Sequence, residues 1–239
     1  MADEADALSR ALESLARHLV HEEGLEATLE RVAGLACRTI GDCDAAGITL
    51  VADGKPTTAA CTDDATLPLD RAQYESGDGP CLEAYRQGKV VRVEPIDDDE
   101  RWPDFARTAT THGVHSSLSL PLVVGDESLG ALNLYSRSHQ GYSRDDEETG
   151  MLFATQAAVA VANAQVYWSA RALSEQLEEA LASRDLIGQA KGIIMAQRGG
   201  GPDDAFDVLR RASQRENKKL RDVAHAVVDA ASRRSVADR

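Results

Sequence analysis

SSLSLPLVVGDESLGALNLYS, residues 116–136, is the stretch whose reading decides the fold. Its first nine residues alternate closely enough to predict a half-buried strand, because successive side chains in a strand point to opposite faces. Gly125-Asp126 is a turn, and SLGALNLYS is the antiparallel partner. The core of the chain is therefore expected to be an antiparallel sheet.

Working toward the N-terminus, SGDGPCLEAYRQGK reads as a glycine-punctuated loop from Ser76 to Pro80, then a short helix from near Cys81 to Gly88. VVRVEP is a strand, and the acidic DDDERWPDF segment is a loop turning into a helix that runs to His112. Further back, AAGITLVADGKPTTAACT is rich in β-branched residues and broken at Asp53-Gly54, which predicts a second strand pair. Before it, Leu25, Leu29, Val32, Leu35, Ala36 and Ile40 recur at helical steps and Gly41 ends the helix. Residues 5–19 place Leu8, Leu12, Leu15 and Leu19 on one narrow helical stripe. On the C-terminal side, Ser143 with Asp146 and Glu147 reads as a helix N-terminus, since a hydroxyl and carboxylates satisfy the exposed N–H groups there. Helices before, within and after two strand pairs make an α+β domain.

No proline or double glycine interrupts Met151 to Gln197, so one helix of about 45 residues is expected, ~68 Å at 1.5 Å per residue. One small domain cannot bury a helix that long. Val166, Ala170, Leu173, Leu177, Ala180 and Ile187 follow steps of three and four with a break at Arg184, which reads as the seam of a parallel homodimeric coiled coil with the N-terminal leucine stripe alongside. The competing reading ends the helix at Ser183. Gly199-Gly200-Gly201-Pro202 then breaks the chain sharply, and two further helices follow, separated at Asn217.

Charge divides the chain. The formal net charge is -14, which by itself opposes nucleic-acid binding. Residues 184–239, however, carry 12 Lys and Arg against 8 Asp and Glu, whereas residues 1–183 carry 14 against 32. No apolar run is long enough to span a membrane, and the acidic start MADEADAL lacks the basic and apolar regions of a signal peptide, so a cytoplasmic protein is expected. Cys37, Cys43, Cys61 and Cys81 show no CxxC pairing and are expected as reduced, mostly buried thiols. The acidic run at 97–100 lacks a spaced set of other metal ligands, and no catalytic motif emerges, so no metal, no cofactor and no enzyme activity are expected. His112 and His115 lie where a pocket wall is conceivable, but a solvated or partner-satisfied pair is the plainer reading.

Two resemblances sharpen this picture. Over roughly residues 20–165 the pattern, with SLPL, the Gly130-Leu132-Leu134 run and the Tyr142-Ser143-Asp145 entry into the last helix, resembles a GAF domain, which implies a small-molecule site or a dimerising module. SRDLIGQAKGIIM, AF-x-x-LRRAS and NKKLRDVA, in that order, resemble the ANTAR module of bacterial transcription antitermination regulators. That resemblance implies binding of paired RNA stem-loops, which prevents pairing into a terminator hairpin. The expected organisation is an N-terminal bundle helix at 1–20, a GAF domain at 21–165, a coiled-coil connector at 166–183 and an ANTAR domain at 184–239.

Within the last segment, Arg184, Gln189, Lys191, Gly192, Met195 and Arg198 fall near one another at steps of three and four. Gly188 and Gly192 would admit a backbone or base closely, although helix packing explains such a pair equally well. Lys191 and Arg198 suit phosphates, and Ser213 and Asn217 suit base edges. Arg210, Arg211, Arg215, Lys218 and Lys219 put five cations in ten positions, offset by Glu216 alone. Met195, with Ile193 and Ile194, has helical spacing that also fits a core, and Phe206 is expected in the core. The alternative function is a ligand-sensing dimeric regulator whose C-terminal helices bind DNA or protein.

Overall fold

A computed structural model describes residues 8–11, 13 and 24–237, with side chains to Arg233. The chain divides into two compact units, Met1–Trp168 and Ser169–Arg239.

The first unit contains α1 (Leu25–Thr39), β1 (Ala45–Ala52), β2 (Lys55–Cys61), α2 (Leu67–Ser76), α3 (Pro80–Gln87), β3 (Val91–Val93), α4 (Pro103–Thr111), β4 (Ser116–Val124) and β5 (Glu127–Ser136). It ends in the first part of α5 (Arg144–Arg198). The strands form one antiparallel sheet in the order β2-β1-β5-β4-β3. Register follows the alternation of the sequence. Leu118 pairs with Leu134 and Leu120 with Leu132, while Ile48 and Ala46 face the same two leucines from the other side. These residues share one face, which is covered by Val32, Ala33, Ala36 and Ile40 of α1 and by Phe153, Ala157, Ala158 and Val161 of α5. The alanines let the helices approach the sheet closely. Between the strands Gly130 lies opposite Leu50, where an added Cβ would run into the Thr49 carbonyl.

β4 and β5 are buried on both faces rather than half-buried. Ser117 and Ser119, which look solvent-facing in SSLSL, point with Thr49, Asn133 and Tyr135 toward a second layer built by α2, α3 and α4. Buried polar groups persist where partners satisfy them. Asn133 donates to the Thr49 hydroxyl at 3.1 Å, and the Cys81 thiol donates to the same oxygen at 3.2 Å. Asp70 accepts from Thr58 at 2.7 Å and from Tyr135 at 2.8 Å. The carboxylate and amide that complete this layer, Asp70 and Gln73, come from α2, a helix the sequence reading leaves unassigned.

Ser143 opens α5 with a reciprocal cap: its hydroxyl accepts from the Asp146 N–H at 3.2 Å, and the Asp146 carboxylate accepts from the Ser143 N–H at 2.8 Å. The helix runs unbroken from Arg144 to Arg198, past Ser183. Of the N-terminal stripe, Leu8 packs on the α1 core beside buried Ala11, while Leu12, Leu15 and Leu19 lie outside the described residues. The thiols differ from expectation. Only Cys81 is fully buried, and burial pushes it up to about 12, so it stays a neutral thiol at the start of α3. Cys37 and Cys43 are half-buried, with sulfurs 2.7 Å apart.

Burial pushes Asp70 above the ordinary carboxylate range despite its two donors. A carboxyl whose folded value exceeds its unfolded one contributes stability that is complete below about pH 4 and is lost as pH rises through the folded value. The stability of the wild type relative to Asp70→Asn, measured by urea unfolding, is therefore expected to fall as pH rises above about 4 and then to level off. A difference that grows with pH would contradict this burial.

Candidate nucleic-acid interface

The second unit is built from the C-terminal part of α5, α6 (Pro202–Glu216) and α7 (Leu220–Ala237). Gly199 and Gly200 adopt φ values of +73° and +91°, and the Gly199 N–H bonds back to the Met195 carbonyl at 2.9 Å. That left-handed close ends α5 where side-chain-bearing residues would be strained. Pro202 starts α6, and Asp204 accepts from the Gly201 N–H at 2.9 Å. At the other end Asn217 takes φ +52°, a conformation asparagine tolerates. The Ser213 hydroxyl donates to the Lys218 carbonyl at 2.6 Å across this turn. Ser213 and Asn217 thus shape the α6–α7 turn, and the Ser213 proton is already engaged.

The core is small. Ala190, Ile194, Ala205, Leu209, Val223 and Ala224 are buried, with Leu186, Ile187, Met195, Val208, Leu220 and Val227 packed around them. Ile187, assigned to the dimer seam from its spacing, packs against this core within its own chain. Met195 also packs there. A core residue on one side of α5 fixes what lies beside it. Arg184, Gly188, Lys191, Met195 and Arg198 follow steps of four, three, four and three, which is one stripe flanking the buried face. Gly192 adjoins it. Gln189 is rotated about two-fifths of a turn away from the stripe's centre at about 100° per residue.

Phe206 overturns the core expectation. It is 37% exposed, and the Lys191 ammonium lies 5.8 Å from its ring centroid. A cation at this distance over an aromatic ring is attracted by the ring quadrupole. Its position directly after buried Ala205 hid this in the sequence, because adjacent helical residues point about 100° apart. A Cβ added at Gly188 or Gly192 would meet nothing within 4 Å, so the packing of this unit does not require either glycine.

A concave groove of about 500 Å³ lies next to the stripe. Apolar Ile194, Leu209, Val223 and Val227 line it together with the cations Arg198, Arg211, Arg215 and Lys218 and the acids Glu216 and Asp222. The cations differ in availability. Arg210 is paired with Asp207 at 2.7 Å, and Lys218 with Glu216 at 3.2 Å. The hydrogen bond from Lys218 is the main reason that the Glu216 carboxyl lies below its ordinary range, which keeps it ionised at the groove. Among the described residues Arg184, Arg198, Arg211 and Lys219 make no ion pair. The structure thus brings Arg184, Gly188, Lys191, Gly192, Met195 and Arg198 together on α5, gathers Arg198 with Lys218 at the groove, and sets Gln189 apart.

Apart from Ile187, the expected seam residues on α5 are exposed in the single chain. Val166 is 71% exposed, and Leu173, Leu177, Ala170 and Ala180 are likewise exposed. Leu152 and Val159 extend the same seven-residue spacing upstream and are also exposed, a continuation the sequence reading did not include.

Comparison with known proteins agrees with this division. A GAF domain model matches residues 22–162, and an ANTAR domain model matches residues 175–228. No curated protein matches the chain. Among solved structures, the GAF domain of an Acinetobacter phosphoenolpyruvate-protein phosphotransferase is 15% identical, with TM-score 0.53, over 70% of this chain and 96% of its own. The equivalent domain from Coxiella burnetii is 17% identical, with TM-score 0.53, over 69% and 98%. A free methionine-R-sulfoxide reductase from Neisseria meningitidis, solved with its substrate, is 16% identical, with TM-score 0.52, over 69% and 91%. At these identities the three show the fold of the first unit. With the sheet and its helices matched over more than half its length, the chain belongs to the GAF domain family and carries an ANTAR domain after its GAF domain.

Proposed function

We propose that this protein is a dimeric, non-enzymatic transcription antiterminator whose ANTAR domain binds paired RNA stem-loops, under the influence of its GAF domain. The observation that carries the reading is the α5 stripe of Arg184, Gly188, Lys191 and Arg198, with exposed Phe206 beside Lys191, on a domain matched as ANTAR. RNA loops are read by stacking on aromatic or guanidinium planes and by cations on the phosphates, and this surface supplies both. The exposed apolar positions of α5 supply the dimer seam. Two linked modules raise the effective concentration of the second stem-loop contact, which compensates for the weak binding of one small module.

In a binding assay with tag-free full-length chain, transcripts carrying two stem-loops are expected to bind more tightly than duplex DNA, and equal affinity for both would overturn the reading. Lys191→Ala, with helix content verified by circular dichroism, is expected to weaken RNA binding and to reduce the salt slope by about 1. Unchanged affinity would remove Lys191 from the interface.

Gly188→Ala separates packing from approach. Alanine stabilises an unobstructed helix by roughly 0.5–1 kcal/mol relative to glycine, so the variant is expected to gain stability while losing RNA affinity. A variant that gains stability and keeps its affinity would show that the position serves neither purpose. For the seam, the double substitution Leu173→Glu with Leu177→Glu is expected to give a monomer in sedimentation with reduced affinity for paired stem-loops. A dimer that survives it would exclude this seam.

A further inference from the structure

We propose that Asp97, His115 and His139 form a binding site for a divalent transition-metal ion. The three come from separate elements of the GAF domain. Asp97 lies in the short turn Ile96–Asp98 after β3, His115 immediately precedes β4, and His139 sits in the connection after β5. Eighteen and then twenty-four residues separate the members, so no ligand spacing is visible along the chain, and the acidic run at 97–100 looks isolated. Folding corrects that reading.

Nδ1 of His115 lies 3.2 Å from Oδ2 of Asp97, and Nδ1 of His139 lies 3.6 Å from the same oxygen. All three candidate ligand atoms fall within 4.8 Å of one another. With metal–ligand bonds of about 2.0–2.1 Å, a tetrahedral site separates neighbouring ligand atoms by about 3.3–3.4 Å. Two of the three edges are already close to that value. A simple hydrogen-bonded pair would need only His115. His139 stands beyond hydrogen-bond distance of the carboxylate, yet its ring is tilted 31° to that of His115 at 4.3 Å, with Nδ1 turned to the same oxygen.

The surroundings orient the set. The Thr110 hydroxyl donates to Oδ1 of Asp97 at 2.7 Å, which leaves Oδ2 for the imidazoles. A hydrogen bond to the outer oxygen of a ligating carboxylate is the usual support for such a ligand. The Ile96 N–H donates to the His115 carbonyl at 2.9 Å, and the His115 N–H donates to the Ser136 carbonyl at 2.9 Å, so the sheet itself positions two of the three. Two imidazoles and one carboxylate suit zinc, nickel or copper rather than calcium or magnesium, which require oxygen-rich shells. Three protein ligands leave one coordination position open to water or a small ligand. The side chains are 26%, 32% and 63% exposed for His115, Asp97 and His139, so an ion has direct access.

The test is a calorimetric titration of tag-free full-length chain with zinc ion alone, under reducing conditions, with circular dichroism on every variant. One zinc per chain is expected. His139→Ala and Asp97→Asn are each expected to lower the affinity at least about tenfold, whereas His112→Ala, which removes a neighbouring imidazole bonded to the Thr108 carbonyl, leaves it unchanged. Absence of zinc binding, or equal affinity in wild type and His139→Ala, would overturn the proposal. So would loss of binding in Cys43→Ser with binding retained in His139→Ala, because that result places the metal on the Cys37 and Cys43 thiols.

Discussion

One helix must satisfy two hydrophobic cores and still leave apolar positions uncovered. Phe153, Ala157 and Val161 of α5 close one face of the GAF sheet, and Ala190 and Ile194 of the same helix supply the centre of the ANTAR core. Between these regions Val166, Leu173 and Leu177 are exposed. A helix in a protein is held mainly by packing of its apolar face, so this middle portion lacks the support that its two ends have. The proposed dimer seam answers that deficit.

The two cores differ in how they tolerate polarity. On one side of the GAF sheet the core is aliphatic apart from the aromatic rings of Tyr142 and Phe153. On the other, Thr49, Asp70, Gln73, Cys81, Asn133 and Tyr135 form a bonded layer in which the Gln73 Nε2 and Asn133 Oδ1 atoms are buried without a partner. Burial of this kind is costly unless partners are found, and it raises Asp70 and keeps Cys81 neutral. The ANTAR core is small and wholly apolar, which leaves its polar groups for the surface. There the arrangement of cations is graded: Arg210 and Lys218 are paired with acids, while among the described residues Arg184, Arg198 and Lys219 find none.

Much of the fold was legible in the residues. The Asp53-Gly54 and Gly125-Asp126 turns, the Ser143 cap and the Gly199–Pro202 break all act through local backbone preferences, which need no tertiary context. The helix Leu67–Ser76 was not legible, because two of its three buried residues, Asp70 and Gln73, are polar and Leu69 alone gives no apolar periodicity. Phe206 was misplaced for a related reason: an aromatic next to buried positions reads as core, and only the packing angle of α6 turns it toward Lys191. Ile187 kept the spacing of a seam, yet the neighbouring helices take it into their own core.

By itself the sequence determined the α+β class, the order of elements, the charge division and the two domain resemblances, since periodicity, turn chemistry and net charge are properties of short stretches. Tertiary structure alone decided which cations stay unpaired, that Ser117 and Ser119 of β4 face a buried polar layer, and that Asp97, His115 and His139 meet. Those outcomes depend on distances between residues far apart in the chain, and such distances are set by how the sheet and helices pack rather than by any local preference.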